Sequence, residues 1–498
     1  MLDMFAIGFS GIFNPYCLGL IFAGVLVGVI FGCIPGLNNG MATILLLPLT
    51  YGMTSIQALA LIMGLFVGGC SGGLISAILL KIPGQMGNLA TTFDGSPMAR
   101  NGQAGKALGA GIFFSFLGGT FGYVVLFAIA APIARIAIRF SPVEYFSIAV
   151  FSLTMIAGLS GESLLKGLAV GLMGMAFSFI GMSEIDGLPR LTMGFVQLNA
   201  GLDLLPALIG LYAITELLKA SRTKKAGDLV QDYKIKGFGF TWTEFKQQLG
   251  NFFRSALIGT GIGILPGIGG ITSSLLAYTA AKSTSKHPEK FGTGVLDGVV
   301  APETANNASI GGSMVPLLTL GIPGDGYTVI VLGALIIKGL NPGPMLMVTN
   351  ARLVYAIYAA LILANFFAVA IEYFGIRGLV KMLKVPSHIL MPIIIVFAIV
   401  GAIGVNNRVF DAWTVVIFGL FGYLMEKLNF SLTPIILGFV LGPIAEINLR
   451  RGLMLSQGSL LPFIIRPISC AFLILTVISI ILTPRLAKKG QSGKQSAA

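Results

Sequence analysis

The chain has 498 residues, of which 55% are hydrophobic and only 10% charged, with a formal net charge of +13 and a mean hydropathy of +0.91. Soluble domains carry roughly a quarter charged residues, so this composition indicates a polytopic membrane protein and excludes an ordinary soluble domain. The positive charge is no nucleic-acid signature because it lies between and beyond apolar stretches, and two histidines with four scattered cysteines offer no haem, zinc or histidine-based catalytic apparatus.

Residues 1–15 form a short amphipathic lead. They contain no Lys or Arg, and no small-residue cleavage site follows, so uncleaved insertion is expected rather than a signal peptide. Apolar stretches then recur at 16–34, 112–134, 143–159, 204–218, 353–374, 389–405, 413–425 and 468–482. A span needs ~20 apolar residues, and the whole pattern gives about 10–13 crossings. Basic clusters sit at Lys219, Arg222, Lys224, Lys225, Lys234 and Lys236, and again at Arg485, Lys488, Lys489 and Lys494. The positive-inside rule places both in the cytoplasm. The expected plan is therefore a first membrane repeat over 16–218, a cytoplasmic polar linker over 219–249, a second repeat over 250–484 and a basic, disordered cytoplasmic tail over 485–498. An interfacial helix over 241–253 is expected to close the linker. Cys17, Cys33, Cys70 and Cys470 read as small membrane-helix residues.

Two kinds of break interrupt the apolar runs. In the first, Ile34-Pro35-Gly36-Leu37-Asn38-Asn39 is echoed by Leu265-Pro266-Gly267-Ile268-Gly269-Gly270, and Gly28, Gly32, Pro35 and Gly36 match Gly259, Gly263, Pro266 and Gly267 at one constant offset. In the second, Gly72-Gly73 leads to Ile82-Pro83-Gly84, as Gly311-Gly312 leads to Ile322-Pro323-Gly324. Pro removes a backbone donor and Gly permits unusual dihedrals, so helices should stop here. Interrupted spans survive only inside protein or beside a cavity. Matched interruptions in two halves mark the binding site of a secondary transporter. The repeat is expected to be inverted, with an extra non-repeat helix reconciling an odd number of crossings per half with two cytoplasmic basic clusters.

The first kind carries the ligand candidates. Asn38, Asn39 and Thr43 follow Pro35 and Gly36, while Gly269, Gly270, Thr272, Ser273 and Ser274 follow Pro266 and Gly267. Broken helices offer carbonyls to a cation and N–H groups to a carboxylate. No Gly-Lys-Ser/Thr follows, so nucleotide binding is unsupported. Asn306, Asn307 and Ser309 lie in an oxygen-rich stretch after Glu303 that suits Na+, and Glu303 itself is a candidate coupling acid. Pro83, Gly84, Pro323, Gly324 and Asp325 read as hairpin tips and gates. Lys81 and Asp325 stay open between functional charges and, respectively, a snorkelling Lys and a helix cap. Glu162, Glu184, Asp186, Asp203, Glu372 and Glu446 read as membrane-edge charges, as do Arg450, Arg451 and Arg466.

At these breaks the chain resembles the large membrane subunit of the tripartite tricarboxylate transporters, the TctA family. The resembling residues are Ile34-Pro35-Gly36, Lys81-Ile82-Pro83-Gly84 with Thr92-Phe93-Asp94-Gly95-Ser96-Pro97-Met98-Ala99, Leu265-Pro266-Gly267-Ile268-Gly269, Ala301-Pro302-Glu303-Thr304-Ala305-Asn306-Asn307-Ala308 and Gly321-Ile322-Pro323-Gly324. The resemblance implies a bacterial inner-membrane permease importing organic carboxylates, citrate being the type case, on a gradient of Na+ or H+. It also implies a small membrane subunit and a periplasmic substrate-binding protein as partners. The resulting expectation is an all-α polytopic carrier of two halves, with broken helices or re-entrant hairpins and elevator-type alternating access. An ion channel, or an anion carrier working without a binding protein, is the alternative; a membrane-embedded enzyme would need a convergent nucleophile or metal set that the sequence lacks.

Overall fold

A computed structural model describes residues 2–159, 164–220, 238–383 and 387–495. In the first half the helices are α1 (Leu2–Ile12), α2 (Pro15–Cys33), α3 (Asn39–Leu46), α4 (Ser55–Leu80), α5 (Thr91–Met98), α6 (Ala104–Ala137), α7 (Pro142–Leu159), α8 (Leu164–Ser178), α9 (Leu204–Leu208) and α10 (Thr215–Ala220). A π-helical stretch, Ile209–Ile214, joins α9 to α10. The second half holds α11 (Trp242–Ile264), α12 (Gly269–Thr284), α13 (Asp297–Leu320), α14 (Gly326–Ile337), α15 (Pro344–Thr349), α16 (Ala351–Met382), α17 (Ser387–Asn406), α18 (Val409–Lys427), α19 (Thr433–Leu455), α20 (Leu461–Ile465) and α21 (Pro467–Gln495). Among the described residues the strands are two short antiparallel ones, pairing Gly181 with Arg190 and Met182 with Pro189.

Local chemistry sets the ends of these helices. Asn14 caps α2 by accepting from the Cys17 N–H at 2.9 Å, with Pro15 at the first helical position. Capping boxes start α4 at Thr54/Gln57 and α11 at Thr241/Glu244. Lys81 and Gly321 end α4 and α13 in the left-handed conformation, at φ 57° and 73°. Two expectations are corrected here. The helix opening at Trp242 is no separate interfacial element but continues to Ile264, and the tail expected to leave the helix near Pro484 continues it to Gln495.

Among the described residues, six helical segments are long and apolar enough to cross a membrane: Pro15–Cys33, Ser55–Leu80, Thr91–Ala137, Ala351–Met382, Val409–Lys427 and Thr433–Leu455. Shorter apolar helices stand among them, including Gly326–Ile337 and Leu164–Ser178. The chain is a multi-pass, all-α membrane protein.

Glycine faces let the central helices touch backbone to backbone. Along α2, Gly24 faces Leu61, Gly28 faces Leu65 and Gly32 faces Gly69, so α2 and α4 run parallel. Gly259 meets Ala305 and Gly263 meets Ser309, which makes α11 and α13 parallel as well. Gly118 and Gly122 of α6 meet Thr304 and Ala308, adding α6 to the α13 direction. Gly11 lies against both Ile56 of α4 and Arg352 of α16, while Ser71 of α4 bonds Glu372 of α16. Those two helices are therefore parallel. Phe127 packs on Tyr355 and Tyr358, and Phe116 on Phe366, so α6 and α16 are antiparallel.

The consequence is an inverted repeat. The helices α2, α4 and α16 run one way, and their counterparts α11, α13 and α6 run the other. Each half also lends a helix to its neighbour, because α6 packs on α13 and α16 packs on α4. Around this centre, α7 and α8 pack on α19, while α17 and α18 pack on the run from α9 to α10. The last helix, α21, lies on α7.

A Cβ at Gly28 would meet the Leu65 carbonyl oxygen at 2.6 Å and the Gly69 nitrogen at 2.8 Å, whereas Gly19 has nothing within 4 Å. Gly28→Val is expected to cost about 3 kcal/mol or more through forced separation of α2 from α4. Gly19→Val should leave stability unchanged. Thermal unfolding of the two variants in detergent, followed by size-exclusion chromatography, checks the contrast.

Candidate functional site

The helix α2 stops because Pro35 follows Ile34, and Gly36 takes φ 88°, which only glycine adopts without strain. The chain restarts at α3, where Asn38 accepts from the Met41 N–H at 2.8 Å. In the second half Gly267 (φ 79°) and Gly269 (φ 60°) make the same interruption between α11 and α12. Each hairpin tip returns to the break of its own half. The Gly267 N–H donates to the Gly324 carbonyl at 2.7 Å, and Gly84 packs on the Gly32 carbonyl while its N–H donates to Gly73 at 3.4 Å.

The two halves meet at Asn306. Its amide donates to the Cys70 carbonyl of α4 at 3.3 Å, while the Asn39 amide reaches the Cys70 sulfur at 3.4 Å. Gly87 beside the first tip and Gly270 at the second break both lie against the Asn306 carboxamide, where any Cβ would collide with its oxygen. Ser309 donates to the Asn306 carbonyl at 2.7 Å. Nearby, Thr43 and Tyr327 share a hydroxyl contact of 2.5 Å, and the Tyr327 ring stacks on Phe66 with centroids 3.8 Å apart. Gln85 of the first tip donates to the Gly69 carbonyl. Asn39, Thr43, Gly270, Asn306 and Ser309 thus come together with the tips.

Several expected ligand side chains donate within their own helices. Thr43 donates to Asn39, Ser273 to Gly269 at 2.8 Å, Ser274 to Ile271 at 2.9 Å and the Asn307 amide to Glu303 at 3.1 Å. Such hydroxyl oxygens keep acceptor capacity, but they are not free donors. Thr272 is half-buried on the outer turn of α12. Asp325 caps α14, accepting from the Thr328 N–H at 2.7 Å, and its Cβ leans on Gly269. Lys81 is exposed at the end of α4.

The pseudo-equivalent tips differ in exposure. Ile82 is 38% exposed and Met86 62%, whereas Ile322 and Thr328 are fully buried together with Pro323 and Gly324. Pro83 is half-buried. The second tip is covered from the side, where Tyr212 of the π-helical stretch reaches the Gly326 carbonyl at 3.4 Å.

Sequence reasoning gave no role to Asn88 or Asp94, which structure this centre, and read Glu303 as a candidate coupling acid without its partners. Glu303 is held by Asn88 (2.9 Å), Thr91 and Ser115 (3.0 Å), which tie α13 to the first tip and to α6. The Asn88 side-chain oxygen, itself buried, has no partner. Asp94 accepts from the N–H groups of Gly292, Gly294 and Val295 at 2.8–3.0 Å and from the Tyr278 hydroxyl at 2.8 Å, clamping the loop between α12 and α13. The available signal was one acidic residue among small polar ones between apolar runs. Glu372 corrects an expectation: it is no membrane-edge charge but is 1% exposed within α16. Asp186 and Glu446 are paired with Arg450 and, for Glu446, also with Arg190. Glu162 and the basic residues of 222–236 lie outside the described residues.

A sequence profile described as the Tripartite tricarboxylate transporter TctA family matches residues 18–437. An uncharacterized 52.8 kDa protein in the TAR-I ttuC' 3' region of Agrobacterium vitis is 32% identical over 491 residues, covering 98% of each chain. An uncharacterized protein in the TAR-II ttuC' 3' region of the same organism is 38% identical over 224 residues, which is 45% of this chain and 93% of that one. No solved structure matches the chain.

Removing the Asp94 carboxylate strands three backbone donors. Asp94→Ala is expected to release about 3 kcal/mol of local protection, while Asp94→Asn, which keeps an acceptor oxygen, loses far less. Hydrogen exchange at residues 292–295 should therefore accelerate by about 100-fold in the Ala variant alone.

Proposed function

We infer the function from one premise: the chain belongs to the tripartite tricarboxylate transporter TctA family. It is the permease of a secondary transporter, and we propose that it imports di- or tricarboxylates such as citrate across a bacterial inner membrane. A periplasmic binding protein delivers the substrate, a small membrane subunit completes the complex, and a cation gradient, first of all Na+, drives uptake.

The observation that carries this reading is the pair of inverted, broken hairpins meeting at Asn306 with unequal exposure. In a carrier, substrate and cation sit where discontinuous helices cross between repeats. Carboxylate binds to N–H groups at the restarted helices after Gly36 and Gly267 and to the amides of Asn38, Asn39 and Asn306. The cation takes oxygens, for which Asn306, Asn307, Ser309 and the unpartnered Asn88 oxygen are the candidates. Thr43, Thr272, Ser273 and Ser274 contribute further acceptors.

The basic linker and tail belong to the cytoplasm by the positive-inside rule. The helices α11 and α13 then start on that side, and α4, which is antiparallel to α13, ends there. The exposed tip after α4 therefore opens inward, while the tip after α13 is sealed toward the periplasm. Transport exchanges these two conditions, with the central helices moving elevator-fashion against α7–α10 and α17–α21.

Two measurements test this. Proteoliposomes holding the complete transporter should take up citrate only with the binding protein and Na+ present, and Asn306→Ala with Asn307→Ala should reduce uptake at least tenfold. Uptake indifferent to both would refute site and coupling, and a steady current without the binding protein would favour the channel. Separately, in a background with the four native cysteines replaced, Met86→Cys should react with a membrane-impermeant maleimide from the cytoplasmic side. Thr328→Cys should stay protected until outward opening.

A further inference from the structure

Glu372 has no part in the site just described, and its surroundings are unusual for a carboxylate. It projects from α16 of the second half into the glycine-rich face of α4 of the first. There Ser71 donates to one carboxyl oxygen at 3.0 Å. The other oxygen, Oε1, is buried and has no partner. No ion pair among the described residues involves it. The helices around it are poor in charge. Neither α2 nor α4 carries any Asp, Glu, Lys or Arg, and α6 has none between Lys106 and Arg135. The titratable groups that face it are the Cys33 thiol of α2 and, across the core, Glu303 of α13.

Glu303 provides an internal contrast. Three donors reach its two oxygens, from the first tip, α5 and α6. That donor set suits an anion. Glu372 has one donor for two oxygens in an apolar interior, where an ionised carboxylate is far costlier than a neutral acid. A hard cation would collect several oxygens, and Ser71 is the single side-chain oxygen bonded here. A proton satisfies the geometry and a metal ion does not.

We propose that Glu372 is a proton-carrying site of the transport cycle, separate from the cation and substrate site at the breaks. It holds a proton in the conformation described. It arrives protonated from the outward-open conformation, and before the carrier returns the carboxyl O–H bond breaks, its electron pair stays on the carboxylate, and the proton passes to water on the inner side. The position favours such a link. Ser71 is the residue next to Cys70, whose carbonyl binds Asn306, so neighbouring residues of α4 report on the substrate site and on Glu372. This inference rests on the transporter reading.

The test uses the complete three-component transporter in proteoliposomes loaded with a pH-sensitive dye, with the membrane potential clamped. Substrate-driven uptake is expected to acidify the lumen. Glu372→Gln, which mimics the neutral acid, should keep substrate binding and reduce acidification at least tenfold. Equal acidification by the variant, or none by the wild type despite uptake, overturns the proposal. A wild type that takes up no substrate overturns the transporter reading instead. Should the variant fail to insert, the wild-type protein answers directly. A lipophilic carbodiimide reacts only with a protonated carboxyl, which adds across its C=N bond and rearranges to a stable N-acylurea. Mass spectrometry should find that adduct on Glu372, declining as pH rises, and its absence at every pH refutes the assignment.

Discussion

Backbone N–H and C=O groups cannot be left unpaired in lipid, and four interrupted helices would leave many of them so. The structure meets this constraint by setting interruption against interruption. The bond from Gly267 to Gly324 joins a break to a tip, and Gly84 nestles on the end of α2 in the other half. Polar backbone is thereby gathered in one enclosed place. Everything else in the central region serves that enclosure. The glycine faces of α2, α4, α11 and α13 exist to bring main chains close enough, and Asn306 ties the two enclosures together through Cys70.

Symmetry holds for the backbone and fails for the side chains. Thr43 meets Tyr327 across the interface between halves, while Ser274, its positional counterpart, bonds its own helix. The two glutamates buried in the central helices, Glu303 and Glu372, belong to the second half, although each bonds a serine of the first. A duplicated scaffold can hold unlike ligands because the interruptions depend on Pro and Gly alone, leaving adjacent positions free to diverge.

The breaks were legible in the sequence because their cause is local: Pro35, Pro266, Gly36 and Gly267 act on their own dihedrals. The all-helical membrane class was legible from composition for the same reason. What stayed hidden depends on neighbours distant in sequence. Glu372 reads as an edge charge until Ser71, far away along the chain, is placed beside it. The cradle of Glu303 draws on α5 and α6, and no spacing within the chain announces it. Hydroxyl-rich Thr272-Ser273-Ser274 looked like a ligand set, yet helix geometry gives Ser273 and Ser274 carbonyls of their own turn to bond. Inversion was expected from the sequence, but its directions follow from which glycine meets which carbonyl and which ring meets which.

The exchanged helices α6 and α16 bear on how the protein is made. A chain inserted into the membrane from its N-terminus presents the glycine face of α6 long before α13 exists to cover it, and α4 must wait longer still for α16. Neither half can reach its final packing alone, so the first must persist in the bilayer as a loosely assembled intermediate until the second is synthesised. Biogenesis, rather than the finished fold, is where damage to these faces would first be felt.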